Sequence, residues 1–292
     1  MCAINRHIGA QLPGAKRAAL GARAGRRAGL RWVTAPPALF LAALVLAAAL
    51  APVLAPHDPL EMNKAAPLLP PSRGFPLGTD QFGRDIMSRL LYGSRTALAI
   101  GVGSTVTAAA LGVSLGLWAG YAGGAADTIV MRVVDTLLAI PAVLLAMALV
   151  AVTGRGSLNT GIAVAVVALP QFARITRAGT LTEKAMDYVE AAVAAGGREA
   201  RLLFRTILPN VLSPVFVQIP IAVSRAILLE ASLSFLGLGT QPPAPSWGLM
   251  IRESRDYMYS APLYGVFPGL AIALSVLALN ALSDRARGVW RP

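Results

Sequence analysis

Several apolar runs in this chain are long enough to cross a membrane, and they constrain its fold more than any other feature. A helix needs about 20 predominantly apolar residues to span the hydrocarbon core. Apolar residues make up 55% of the 292 residues, whereas charged residues make up only 14%. Because helices and closed barrels are the structures that satisfy all backbone polar groups in lipid, runs of this length predict an all-α, polytopic membrane protein.

Six segments have the length and composition of transmembrane helices. We place these spans at about residues 36–55, 96–121, 127–152, 160–175, 211–229 and 263–282. The chain then divides into a basic tail, a first transmembrane segment, an external loop, a five-helix core and a short C-terminal end. These parts are residues 1–31, 32–56, 57–95, 96–286 and 287–292, with a polar loop at 181–210 inside the core.

The distribution of basic residues predicts the orientation of the spans. Residues 1–31 carry seven Lys and Arg side chains and no acidic one. By the positive-inside rule both termini and the loop at 181–210 face the cytoplasm. The formal charge of +12 does not indicate nucleic-acid binding, because the basic residues are spread over several loops. Cys2 is the one cysteine, and His7 and His57 are far apart, so no metal site is expected.

A polar interruption, DYVEAAVAAGGREARLLFRTILP, separates two apolar blocks at residues 187–209. Asp187 is placed to cap a helix, with Glu190 three residues later as in a capping box. Gly196 and Gly197 are expected to end this helix, because glycine accepts the left-handed backbone found just after a helix C-terminus. A second short helix should follow. Three arginines share one of its faces: Arg198, Arg201 and Arg205.

This interruption resembles the EAA loop in permease subunits of ATP-binding-cassette (ABC) importers. The resemblance rests on Glu190-Ala191-Ala192, then Gly196, then Leu208-Pro209 at the family's spacing. It implies a coupling helix that docks into a groove of a separate ATPase subunit. The residues that it assigns to docking are Asp187, Tyr188, Glu190, Ala191, Ala192, Gly196, Leu208 and Pro209. Two positions of this loop depart from the family, with Val193 where arginine is usual and Thr206 where histidine is usual.

Three further segments resemble the same family in the same order. They are PLGTDQFGRDIMSRLLYGSR from residue 76, GYAGGAADTIVMRVVDTLLAIP from residue 120 and EASLSFLGLGTQPPAPSW from residue 230. The resemblance covers about residues 56–287. It points to the second of the two permease subunits in dipeptide, oligopeptide and nickel importers.

Membership of this family implies a subunit that imports peptides or similar small solutes across the bacterial inner membrane. The implied partners are a second permease subunit, two ATPase subunits or domains, and an extracytoplasmic substrate-binding protein. The chain contains no G-x-x-x-x-G-K-[ST] phosphate loop, so ATP and Mg²⁺ are expected in the ATPase subunits and no cofactor in this chain. The alternatives are an ion-gradient-driven secondary transporter and an ABC importer for nickel or another solute.

Charged and small residues in the spans allow narrower predictions. Arg225 and Glu230 either pair within the membrane or lie on the translocation path, because charges in lipid are costly unless they are partnered or line a cavity. Arg132 and Asp135 are three residues apart and can pair on one helix. Glycines every four residues, at 112, 116 and 120, predict close packing against another helix.

A short helix at residues 85–92 is predicted to lie at the outer membrane interface. Its apolar side chains have helical spacing, and Arg84, Asp85 and Arg89 are expected elsewhere on its surface. This helix either packs on the spans as part of a solvated loop or contacts the binding protein. The segment from residue 230 to 247 is predicted to be an external loop that can re-enter the membrane.

Overall fold

The computed structural model describes residues 36–289, with side chains to residue 285. The predicted basic tail at 1–31 and the last three residues therefore lie outside the described part. Within residues 36–289 the regular secondary structure is helical, with no named strand, which confirms the all-α prediction. The helices are α1 (Pro36–Ala49), α2 (Ala51–Leu54), α3 (Ile86–Ala122), α4 (Gly124–Ala139), α5 (Ala142–Thr153), α6 (Ser157–Lys184), α7 (Asp187–Ala194), α8 (Glu199–Arg201), α9 (Leu208–Phe235), α10 (Trp247–Ser254) and α11 (Pro262–Val289).

Four helices in the described residues are long and apolar enough to cross a membrane. They are Ile86–Ala122, Ser157–Lys184, Glu199–Phe235 and Pro262–Arg285. The pair α4 and α5 qualifies as a fifth span only if both are taken together, and α1 is a shorter apolar helix. By length and composition the predicted count of six spans is therefore not confirmed.

The predicted third span is broken in the middle. Helices α4 and α5 meet at an angle of 100°. Ile140, between them, has an extended backbone with φ −90° and ψ 132°, which is the conformation that the following Pro141 favours. Proline also lacks the N–H that would continue the helix. The sequence showed this proline, but the size of the bend comes from the structure.

The predicted interfacial helix at residues 85–92 is instead the beginning of α3. Asp85 is the N-cap, and its carboxylate accepts hydrogen bonds from the backbone N–H groups of Met87 and Ser88. Arg84, Asp85 and Arg89 are all buried, contrary to the prediction that they lie on the surface. The helix is thus continuous from residue 86 into the span.

A buried ionic cluster explains how these charges are accommodated. Arg84 Nε donates to Asp80 Oδ2 at 2.5 Å, and Arg84 Nη2 donates to Glu253 Oε2 at 3.1 Å. Arg89 Nη2 reaches the same oxygen of Glu253 at 3.0 Å, and the hydroxyl of Tyr264 donates to it at 2.9 Å. Two carboxylates thus face two guanidinium groups. The cluster joins the segment before α3 to α10 and α11.

The glycine stripe on α3 packs against α6, as predicted. A Cβ atom at Gly112 would lie 2.7 Å from the carbonyl oxygen of Leu169. At Gly116 it would lie 2.9 Å from Thr176 Cβ and closer still to the carbonyl oxygen of Ala173. Only glycine lets two helix backbones approach this closely.

Two ion pairs join α4 to α6. Arg177 Nη2 donates to Asp127 Oδ2 at 2.6 Å, and Arg174 Nη2 donates to Asp135 Oδ1 at 2.8 Å. The predicted pair between Arg132 and Asp135 is therefore wrong. Spacing along one helix permits such a pair, but the neighbouring helix α6 offers Asp135 another arginine.

Candidate functional site

Helix α7 lies between the ends of α6 and α8 and contains most of the residues assigned to docking. It begins at Asp187, and the N-cap is Met186, which makes no side-chain cap. The prediction that Asp187 is the cap is therefore wrong by one position. Asp187 and Glu190 still lie in the first turn, where negative charge interacts favourably with the helix dipole.

The C-terminal end of α7 is formed by the predicted glycines. Gly196 has a positive φ of 76°, a conformation that costs other residues energy. Its N–H bonds to the carbonyl of Val193 at 2.9 Å, and the N–H of Gly197 bonds to that of Ala192 at 3.0 Å. This pair of bonds is the Schellman motif. The glycine stop is confirmed.

The predicted second helix of this loop is not separate from the following span. Helix α8, a π-helical turn at Leu202–Ile207 and α9 run together as one helix, Glu199–Phe235. Pro209 has no N–H to donate one turn back, and the N–H of Leu208 bonds to the carbonyl of Leu203, five residues earlier. Such π-turns are rare and occur mostly as single-turn irregularities inside longer α-helices.

Val189 and Tyr188 attach α7 to the membrane-spanning helices. Val189 is 2% exposed and packs in a cluster with Leu117 of α3 and with Ile207 and Val211. The hydroxyl of Tyr188 donates to the carboxylate of Glu183 and accepts from Asn210 Nδ2. The hydrogen bond to this carboxylate raises the pKa of Tyr188, because it favours the protonated phenol that donates it. Tyr188 thus connects α7 to Glu183 at the end of α6 and to Asn210 at the start of α9.

The remaining surface of α7 is exposed. Asp187, Glu190 and Ala191 face outward, and Val193 is 54% exposed. An open cavity of about 770 Å³ adjoins the helix. Its lining comprises Ala192, Ala195, Gly196, Gly197, Arg198, Ala200, Arg201, Leu202 and Thr206. This surface combines the apolar Val193, the acidic Asp187 and Glu190, and the arginines that line the cavity. Within the described residues, no other segment covers it.

The structure does not pair Arg225 with Glu230. Arg225 Nη1 donates to Gln171 Oε1 of α6 at 2.8 Å. Glu230 is fully buried, and its Oε1 accepts from the hydroxyl of Ser234 at 2.7 Å. Residues five apart lie about 140° apart around a helix, so the two side chains point in different directions. The predicted pair is therefore wrong.

Sequence reasoning did not find the polar partners of these residues. Glu183 and Asn210 become significant only because α7 places Tyr188 between them. Gln171 becomes significant only because α6 packs beside α9. No spacing within one helix indicates which residue of a neighbouring helix a side chain will meet.

Residues 112–292 match the protein family described as binding-protein-dependent transport system inner membrane component. This match covers more than half of the chain. The chain belongs to this family. A relative from Pseudomonas aeruginosa (strain UCBPP-PA14), the di/tripeptide transport system permease protein DppC, is 45% identical over 260 residues, which are 87% of this chain and 86% of the relative. The glutathione transport system permease protein GsiD from Pectobacterium atrosepticum is 46% identical over 222 residues, 76% of this chain and 74% of the relative.

The solved structures of this fold agree with the family assignment. Two chains of the MetNI methionine ABC transporter, in inward-facing conformations, match with TM-scores of 0.56 and 0.58 at 21% and 20% identity. Each alignment covers 70% of this chain and 98% of the other. The resemblance to ABC importer permeases is thus confirmed, and the permease is a multi-pass inner-membrane protein.

Proposed function

We propose that this permease is one of two membrane-spanning subunits of an ATP-driven importer of short peptides. Its relatives are named for transport of dipeptides, di/tripeptides and glutathione, and glutathione is itself a tripeptide. The full assembly would contain a second permease subunit, two ATPase subunits or domains that bind ATP and Mg²⁺, and an extracytoplasmic binding protein. In this assembly both termini and α7 of this chain face the cytoplasm.

The geometry of α7 is the observation that carries the proposal. The helix exposes most of its surface, yet Val189 and Tyr188 hold it against three long helices. We infer that the exposed face, with Glu190 and Val193, docks on an ATPase subunit. Movement of that subunit would then move α7, the end of α6 and the start of α9 together. This arrangement couples two conformational states mechanically and involves no chemical step in this chain.

The proposed function is tested by peptide uptake into proteoliposomes that contain the assembled transporter. With binding protein outside and ATP available to the ATPase subunits, labelled trialanine should accumulate, and vanadate should abolish the accumulation. Uptake that needs an ion gradient and no ATP would instead support a secondary transporter. ATP-dependent uptake of nickel without peptide uptake would support the alternative that this permease belongs to an ABC importer for nickel.

Val193→Asp should weaken the association of this permease with the ATPase subunits. Val193 is 54% exposed, so we expect no change in the melting temperature of the permease. A carboxylate buried in the docking interface should reduce co-purification of the ATPase subunits by about tenfold or more. Val193→Thr is the matched control, because it keeps the shape of the side chain without adding a charge. Unchanged co-purification and uptake in Val193→Asp would contradict docking through this face.

A further inference from the structure

Arg225 lies deep in a membrane-spanning helix, yet its side chain is exposed. It is ten residues before Phe235, the last residue of α9, and therefore about 15 Å along the axis from that end. Leu228 and Phe235 are exposed on the same face, and Ser232 is partly exposed. Arginine is costly in lipid and normally faces protein or water within membranes. The presence of Arg225 therefore indicates that this stripe of α9 faces protein or water and not lipid.

A cavity of about 350 Å³ opens beside Arg225. Its walls come from α4, α5, α6 and α9 and are mainly apolar, with Val143, Phe172 and Leu229 among them. The polar side chains in the lining are Gln171, Gln218, Arg225 and Ser232, and the lining contains no aspartate or glutamate. A mainly apolar cavity of this size with a few polar groups is typical of a small-molecule site.

No carboxylate in the described part of the chain compensates the charge of Arg225. Its one hydrogen bond there runs from Nη1 to the neutral amide oxygen of Gln171, at 2.8 Å. This bond orients the guanidinium group but leaves its charge and its other N–H groups available. Gln171 is thus a positioning residue for Arg225.

We propose that Arg225, positioned by Gln171, binds the C-terminal carboxylate of the peptide during its passage through the membrane. This inference rests on the proposed function and adds a contact to it. A guanidinium group offers a planar pair of donors that fits a carboxylate, and the apolar walls suit peptide side chains. Because the cavity lining has no acid, this site recognises the carboxylate and not the N-terminal ammonium group.

Uptake of trialanine and of its C-terminal amide by the same reconstituted transporter tests this contact. Arg225→Gln should reduce trialanine uptake by about 10- to 100-fold, the loss expected for one charged hydrogen-bonded contact. Uptake of the amide should change by less than about threefold. The wild-type and Arg225→Gln transporters use the same binding protein. Any preference of that protein for the acid or the amide therefore cancels when the variant is compared with the wild type. Arg132→Gln removes a charge from an exposed residue outside the cavity and should change neither uptake.

Two further measurements test the same contact if the binding protein rejects the amide or if the first variant does not assemble. If the binding protein rejects the amide, binding of labelled trialanine to the solubilised complex without binding protein replaces uptake, and Arg225→Gln should abolish this binding. If Arg225→Gln does not assemble, Arg225→Lys keeps the charge without the planar fork and should lower trialanine uptake by about tenfold.

The outcomes separate the inference from the proposed function. Absence of ATP-dependent peptide uptake in the wild type would overturn the proposed function. Normal wild-type uptake that falls equally for acid and amide in the Arg225 variants would show a structural role, such as a pair with an acidic residue of the second permease subunit, and would overturn the carboxylate site alone. Unchanged uptake of both peptides would overturn it as well.

Discussion

Arg89→Ala should lower the free energy of unfolding of the permease by about 3–5 kcal/mol, because it removes one partner from a buried ionic cluster. Arg89 is fully buried, and its guanidinium group lies 3.0 Å from Glu253 and 3.5 Å from Asp80. Without it, the buried carboxylate of Asp80 and the largely buried carboxylate of Glu253 share the single charge of Arg84. The expected consequence is loss of the packing between the beginning of α3 and helices α10 and α11.

Thermal unfolding of the detergent-purified permease, with and without its partner subunits, measures this effect. Arg95→Ala is the control, because Arg95 lies on the same helix but is exposed beside the ring of Tyr92. Adding Glu253→Gln to Arg89→Ala should recover part of the lost stability, since it removes one uncompensated charge. A melting temperature of Arg89→Ala close to that of Arg95→Ala would show that the cluster contributes little.

Gly116→Val should push α3 away from α6 and lower the free energy of unfolding by about 3 kcal/mol. A Cβ atom at this position would lie 2.9 Å from Thr176 Cβ and even closer to the backbone carbonyl of Ala173. Backbone atoms cannot move aside as the end of a flexible side chain can, so the two helices themselves must shift. We expect a lower melting temperature and a lower yield of the assembled transporter.

Gly103→Val is the matched control on the same helix. A Cβ atom at Gly103 would meet nothing within 4 Å, and both substitutions change helix propensity in the same way. The difference between the two variants therefore isolates the close approach of α3 and α6. Equal effects of the two substitutions would attribute the loss to the helix itself and not to its packing.

Much of the fold could be predicted from local rules. The length of the apolar runs predicted a helical membrane protein, and the spacing of Gly112 and Gly116 predicted a helix contact. Gly196 ends α7 for the reason expected, since the left-handed conformation depends on that residue alone. The motif around Glu190 led to the correct family. Each of these features depends on residues that are close together in the sequence.

The wrong predictions share one cause, which is contact between residues of different helices. Asp135 pairs with Arg174 and not with Arg132, and Arg225 bonds to Gln171 and not to Glu230. In each case the sequence offered a partner on the same helix, whereas the structure provides one on a neighbouring helix. Burial of Arg89 was missed for the same reason, because its compensating carboxylate, Glu253, is 164 residues away in the chain.

The sequence by itself determined the class of protein, the positions of most long helices, the end of α7 and the family. These properties follow from apolar length, helical periodicity and the backbone preferences of glycine and proline, which act over a few residues. The tertiary structure alone decided the 100° bend between α4 and α5, the continuity of α3, the attachment of α7 through Tyr188, and the cavity beside Arg225. Those features depend on which helices lie side by side, and contacts between helices distant in sequence leave no periodic pattern within any one of them.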